Sequence, residues 1–337
     1  MKATDFSRYL TDFLTKYLPH ERGAGRNTIS SYRDTFVLLI SFFEQKKNIR
    51  ISKLEIKDIN KQTVVEFLDW LQSERKNNNA TRNLRLAAIH SFFKYIQYFA
   101  PDNLYEYQSI LSIRVKKKEK KAINYLTLDG VRLLLNQPDK KSLKGRRDLA
   151  LLSLMYDTGA RVQEIIDLTP AALHLDKPTT IRITGKGNKT RIIPLMEAQV
   201  NILNSYLSEN NLIKPYAGSY PLFFNSRGEK LTRAGVTYIL AKYADKARQK
   251  NQSLVPKKIS CHVTRHSKAM HLLQAGVNLI YIRDILGHVS VETTEIYARA
   301  DSKQKREAIE KAYIDVLNNE EPMWQGNKNL LDWLKSL

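Results

Sequence analysis

A single cysteine, Cys261, in 337 residues excludes any disulfide framework within the chain and fits a reducing compartment. Glycine and proline are sparse, at 13 and 10 residues, and with 42% hydrophobic residues this excludes a low-complexity or disordered chain. No apolar run approaches the length of a membrane span, and the N-terminal MKATDFSRYLTDF lacks the apolar stretch of a signal peptide. These absences predict a cytoplasmic protein with no membrane partner. Acidic residues are short as well: 34 Asp and Glu face 55 Lys and Arg, a net charge of +21. An excess of that size points to a polyanionic partner, because each phosphate contact releases condensed counterions. No Ser-His-Asp elbow, phosphate-cradling glycine loop or pair of carboxylates is present.

What the chain does contain falls into two parts. Its first hundred residues read as helical throughout, with apolar positions at helical spacing in 27–45, 61–75 and 80–99. Arg82 and Arg85 stand one turn apart at the start of the third of these, either to grip phosphates or to sit in solvent. Apolar periodicity then vanishes in RVKKKEKKAINYLT, where Arg114, Lys116, Lys117 and Lys118 begin a basic run. This predicts a linker, which either crosses a nucleic-acid backbone or is a flexible tether. The second part is mixed. RDLALLSLMYDTGARVQEIIDL predicts a buried helix, a break at Gly159 and another helix, while TTIRITGKGNKTRIIPL predicts a β-hairpin. Helices resume at 197–208 and 232–249, and three shorter ones follow, punctuated by Gly276 and Gly287. The expected division is 1–105, a linker over 106–122, a mixed domain over 123–318, and a tail helix over 319–337.

Chemistry-bearing residues concentrate in the second part. Arg161 follows the break TGA, and Glu164 lies three residues on, on the same helix face. Lys186 sits at the hairpin tip. HVTRH brings His262, Arg265 and His266 together, LGH supplies His288, and Tyr297 lies in VETTEIYARA. His262 and His266 have the spacing of a zinc pair, but no second ligand pair accompanies them and the motif is not HExxH, so neither metal nor cofactor is expected. Taken singly, each residue has a bland explanation in an ion pair, a turn or a core tyrosine. As a set they suit one reaction. Two guanidiniums can clamp a phosphodiester and stabilise its pentacoordinate transition state. A tyrosine can attack phosphorus covalently, while a lysine and histidines move protons.

Four motifs, TGARVQEIIDL, ITGKGNKTRIIPL, HVTRHSKAMHLLQAG and ILGHVSVETTEIYARA, resemble in content and order those of the tyrosine recombinases, the group of phage integrases, Cre and the Xer resolvases. The resemblance implies a mainly α fold with a small β-sheet. A helical core-binding domain and an α+β catalytic domain would form a C-shaped clamp around DNA. It implies Arg161 and Arg265 as the clamp, Glu164 as a supporting carboxylate and Lys186 as general acid. His262 and His288 would be the histidines of the site and Tyr297 the nucleophile. The function expected is site-specific recombination through a 3′-phosphotyrosine, in a mobile element or else as an Xer-type dimer resolvase. A type IB topoisomerase is the less fitting alternative. Double-stranded recombination sites are the expected partner, bound by a tetramer because exchange between two sites needs four active sites. Lys268 and Met270 stand where many relatives carry an aromatic and a threonine. The tail NKNLLDWLKSL, with Leu330, Leu331, Trp333, Leu334 and Leu337, is expected to dock on a neighbouring protomer.

Overall fold

Polar side chains start most of the helices, and a computed structural model describing residues 3–117, 122–300 and 330–336 shows where they lead. The chain divides into two compact units, Met1–Lys121 and Ala122–Leu337.

In the first unit α1 (Asp5–Asp12) continues into a wider turn, Phe13–Glu21, that accommodates Pro19. Helix α2 (Arg26–Lys47) follows. Asn60 starts α3 (Lys61–Ser73) by accepting the Thr63 N–H at 2.9 Å, while the Thr63 hydroxyl accepts the Asn60 N–H in return. Asn78 does the same for α4 (Asn79–Ile96) through the Thr81 N–H. The core is aromatic: Phe13 meets Tyr17, Tyr32, Phe36, Phe92 and Tyr95 with ring centroids 5.3–6.2 Å apart. Each fully buried ring contributes about 1.5–3 kcal/mol.

Two expectations fail here. Arg82 and Arg85 do share a face of α4, but it turns inward, with Arg82 only 4% exposed. Arg85 Nη1 donates to the Ser31 carbonyl and the Thr35 hydroxyl of α2 at 3.0 and 3.1 Å. Their stems bury with the apolar stripe of Leu86 and Ile89, so neither an exposed phosphate grip nor a solvated pair describes them. The expected linker also starts late, because α5 (Leu104–Leu111) occupies its beginning and sends Tyr107 and Ile110 into the core. Beyond α5 the chain is pinned. Asn83 Nδ2 donates to the Lys116 carbonyl at 2.7 Å and Oδ1 accepts the Lys116 N–H at 3.0 Å, while Asn79 holds the Lys117 carbonyl. Arg114, Lys116 and Lys117 remain exposed; Lys118 lies outside the described residues.

The second unit begins with α6 (Leu128–Leu135) and α7 (Leu143–Thr158). Helix α7 ends at Gly159, in the left-handed region with φ 57°, where a Cβ would stand 2.7 Å from Leu286 Cδ2. Helix α8 (Val162–Ile166) follows at once. Strands β1 (Leu173–His174), β2 (Thr180–Thr184) and β3 (Thr190–Pro194) form an antiparallel sheet in that order, with Ile181 opposite Ile193 and Ile183 opposite Arg191. Ile181, Ile183 and Ile193 face the core. Helices α9 (Glu197–Glu209), α10 (Arg233–Lys250) and α11 (Cys261–Gln274) complete the body. Helices α12 (Leu279–Leu286) and α13 (Glu292–Ala300) pack on α11 through Ala269, Met270, Leu273, Ile282, Leu286 and Tyr297. No helix among the described residues is long and apolar enough to cross a membrane.

Of the expected tail, a short helix at Leu330–Lys335 is described, with Leu334 54% exposed. Residues 319–329 and Leu337 lie outside the described residues, as do the side chains of Leu330, Leu331 and Trp333.

Candidate active site

The α7–α8 break is where the site begins. Arg161 is extended (φ −71°, ψ 150°) ahead of α8, and Glu164 reaches back to it. Glu164 Oε2 accepts the Arg161 backbone N–H at 2.9 Å, and Oε1 accepts from Arg161 Nη1 at 2.8 Å. This is not a surface ion pair, since Glu164 is only 6% exposed. A second guanidinium meets the carboxylate from β3: Arg191 Nη2 donates to Oε2 at 2.6 Å, and its Nε donates to the Ile285 carbonyl at 2.7 Å. Burial alone would push the Glu164 carboxyl up. The hydrogen bonds and charge of Arg191 and Arg161 prevail and hold it below its ordinary value.

Glycine makes room for this knot. A Cβ at Gly185 would stand 2.8 Å from Glu164 Oε1, and one at Gly287 would stand 2.8 Å from Arg191 Nη1. Gly287 also adopts φ 65°, which favours glycine on its own account.

Helix α11 contributes Arg265, 4% exposed. Its Nη1 donates to the Gly159 carbonyl at 2.8 Å and its Nη2 to the Leu286 carbonyl at 2.7 Å. Both acceptors lie where a helix ends, at carbonyls with no partner in their own helix and at the negative end of its dipole. Arg265 therefore ties the ends of α7 and α12 together. Burial, then the charge of Arg161, bring its pKa down to about 10, so it stays charged at neutral pH. Two of its five N–H donors are used in this way, leaving three.

His288 follows Gly287, and its Nδ1 lies 2.9 Å from Thr294 Oγ1. Burial first, then the cations Arg265, Arg161 and Arg191, bring its pKa down to about 4, so it is neutral at pH 7. Tyr297, on α13, is 1% exposed. Its hydroxyl lies 3.0 Å from His266 Nδ1, and its ring is parallel to His288 at 6.5 Å. Burial raises the phenol pKa, and Arg265 and Arg161 pull against that rise.

The structure thus gathers Arg161, Glu164, Arg265, His288 and Tyr297 onto the adjoining ends of α7, α8, α11, α12 and α13. His262 is exposed on α11, its ring 6.3 Å from that of His266. Lys186 opens the hairpin turn directly after Gly185. A cavity of about 300 Å³, lined among others by Arg161, Lys189, Thr190, Arg191 and His288, opens beside these groups. Concave and cationic, it suits an anion such as a phosphodiester. Arg82, Arg85, Arg114, Lys116 and Lys117 belong to the other unit. Of the two departures from the recombinase pattern, Met270 is core, and Lys268 pairs with Asp157 at 3.0 Å.

Sequence reasoning missed Arg191. It sits on the core face of β3 opposite Ile183, but the adjacent Ile192 and Ile193 conceal the period-two phase that would have marked it. His266 is expected only to support the site from the same helix, besides its zinc-like spacing from His262. That it lies four residues from His262 on one helix was the available signal.

Comparison with known proteins agrees with the geometry. Residues 124–304 match the phage integrase family, and residues 10–97 match the phage integrase N-terminal SAM-like domain. The chain is 36% identical over 337 residues to a Sinorhizobium fredii protein that bears the provisional name integrase/recombinase y4rC, covering 100% of this chain and 99% of that one. It is 32% identical over 290 residues to tyrosine recombinase XerD of Listeria monocytogenes, with 86% of this chain and 92% of that one covered. Among solved structures, XerH site-specific recombinase bound to its difH substrate superposes with a TM-score of 0.68 at 25% identity, over 88% of this chain and 82% of that one.

Proposed function

From the premise that the chain belongs to the phage integrase family of tyrosine recombinases, enzymes of site-specific DNA strand transfer, we propose how its own residues carry out that transfer. Tyr297 Oη attacks the scissile phosphorus. The O–P bond forms and the P–O5′ bond breaks, leaving a 3′-phosphotyrosine and a free 5′-hydroxyl. Lys186, on the hairpin, protonates the departing 5′ oxygen. Arg161 and the free donors of Arg265 take the nonbridging oxygens, and neutral His288 donates one hydrogen bond to the same phosphate. Rejoining is the reverse, with the 5′-hydroxyl of a partner strand as nucleophile and Tyr297 as leaving group.

The observation that carries this reading is Arg265. One guanidinium fixes the ends of α7 and α12, and so sets Arg161 and His288 beside the buried Tyr297. Such preorganised charge is the largest contribution available to phosphoryl transfer. A nicked suicide substrate tests it, because loss of the short 5′ fragment traps the covalent protein–DNA adduct. Tyr297→Phe is expected to bind the site like wild type and form no adduct. An adduct from the Phe variant would remove Tyr297 from the role.

The partner is double-stranded DNA, with the exposed Arg114, Lys116 and Lys117, and Lys118 beyond them, along its backbone. Two sites present four strands to be cut, so the working assembly is a tetramer on two duplexes. The setting is integration or excision of a mobile element. The 32% identity to XerD over 86% of the chain favours a second reading, an Xer-type resolvase of replicon dimers. Recombination between two copies of the native site, assayed as integration and as dimer resolution, separates the two.

A further inference from the structure

We propose that His266, the residue directly after Arg265, is a further catalytic residue that accepts the hydroxyl proton of Tyr297 as the phenolic oxygen attacks phosphorus. The inference rests on the reading of Tyr297 as nucleophile. Nothing in the transfer chemistry above says where that proton goes, and the phenol is in no position to lose it to water. Tyr297 is 1% exposed, and burial raises its pKa, so very little tyrosinate forms at neutral pH. A base in contact with Oη is required, and His266 Nδ1 lies 3.0 Å from it.

The neighbouring groups are less well placed. His288 Nδ1 is engaged with Thr294 Oγ1, and its ring lies parallel to that of Tyr297 at 6.5 Å rather than presenting an edge to the hydroxyl. Arg265 is charged and has no lone pair to offer. His262 is exposed, 6.3 Å from the His266 ring, where it can pass a proton between His266 and solvent. Among the described residues, the charged and titratable groups around His266 are His262 and Arg265 on its own helix, Tyr297 on α13, and His288 ahead of α13. Burial, then His262 and Arg265, hold the imidazole below its ordinary pKa, so at pH 7 it is neutral and able to accept.

The step balances. The Tyr297 O–H proton moves to His266 Nδ1 as the O–P bond forms, and the P–O5′ bond breaks with its oxygen protonated separately from the hairpin lysine. In rejoining, the imidazolium returns its proton to the phenolate as the P–O bond to Tyr297 breaks. No other reactant is needed.

The test is single-turnover adduct formation by the full chain on a suicide DNA substrate across a range of pH, for wild type, His266→Ala, His266→Asn and Tyr297→Phe. Asparagine sets an amide group near the position of Nδ1, so it can hold the phenol but cannot take up a proton. Both His266 variants are expected to bind DNA like wild type and to lose about 10²-fold or more in rate at pH 7. Their rates should then climb roughly tenfold per pH unit on the alkaline side as tyrosinate forms directly, whereas wild type levels off near neutrality. If His266→Ala fails to bind DNA, the His266→Asn comparison stands alone. A His266→Asn rate within about threefold of wild type, or a rate loss with the wild-type pH profile retained, would overturn the proposal and leave His266 a positioning residue. An adduct from Tyr297→Phe would instead sink the nucleophile assignment beneath it.

Discussion

Replacing Glu164 by glutamine probes the centre of the site without changing its shape. The carboxylate accepts three hydrogen bonds, from Arg161 N, Arg161 Nη1 and Arg191 Nη2, and both guanidinium bonds are charge-assisted. A glutamine must aim an NH2 at one of these donors. If it faces Arg161 Nη1, the other two bonds survive as weaker, neutral-acceptor ones. If it faces the other side, both of those are lost. In either orientation Arg161 and Arg191 lose the carboxylate with which both of them pair, and Arg191 is only 10% exposed. Uncompensated buried charge of this kind costs about 3–5 kcal/mol. For a unit of this size that is a fall of roughly 6–20 °C in melting temperature. The pH dependence follows from the sign of the shift. Glu164 titrates below its ordinary value of 4.5, so its contribution is present above that pH and is lost as pH falls through the folded value. The gap between wild type and Glu164→Gln, measured by calorimetry, should therefore be full at pH 7 and narrow on acidification below about 4.5. Adduct formation should fall as well, because Arg161 loses the group that orients it. A melting difference under about 2 °C at pH 7, or a gap unchanged by acid, would refute the account of Glu164 as the anchor of the clamp.

Arg265→Lys keeps the charge but loses the fork that spans the Gly159 and Leu286 carbonyls. Suicide-substrate cleavage should drop by about 10²-fold or more with DNA binding little changed, and wild-type cleavage would remove Arg265 from the site. Lys186→Ala should lose cleavage of ordinary DNA and regain it on a 5′-bridging phosphorothioate, whose sulfur leaves without a proton. Absence of rescue would reduce Lys186 to a hairpin-positioning role. Deleting residues 325–337 should spare binding to one site but abolish synapsis and recombination, if the tail docks on a neighbouring protomer. A truncated chain that still forms tetramers on DNA in native gels would count against that.

Much of the fold was legible because its signals are local. Gly159 and Gly287 mark helix ends, and GKGNK between β-branched runs marks a hairpin. Left-handed glycines and hairpin turns act within a few residues, so a linear reading finds them. The direction a helix face takes is different, because it depends on what lies across from it. Arg82 and Arg85 share a face of α4 as their spacing requires, yet that face meets Ser31 and Thr35 of α2, some fifty residues earlier in the chain. The start of the basic run, as far as Lys117, is not a free tether for the same reason. Lys116 and Lys117 are exposed as their charge suggests, but their backbone is held by Asn83 and Asn79, and nothing in RVKKKEKK announces those partners.

The site divides along the same line. Arg161, Glu164, His262, Arg265, His288 and Tyr297 could be singled out because each falls in a short motif whose order along the chain is itself a signal. What joins them could not, because it runs between motifs. Arg191 on β3 reaches Glu164 ahead of it and Ile285 behind it, and a side chain at Gly185 would strike the Glu164 carboxylate while one at Gly287 would strike the Arg191 guanidinium. Those two glycines looked like ordinary turn residues. In the folded chain they are the space through which the hairpin, the α8 carboxylate and the turn carrying His288 are locked to one another. A displacement of the hairpin that disturbs Arg191 must therefore also disturb Glu164, Arg161 and the carbonyl of Ile285, two residues before Gly287. Lys186 opens the turn of that hairpin, so a shift of the hairpin that carries the backbone of the proposed acid also pulls on the clamp.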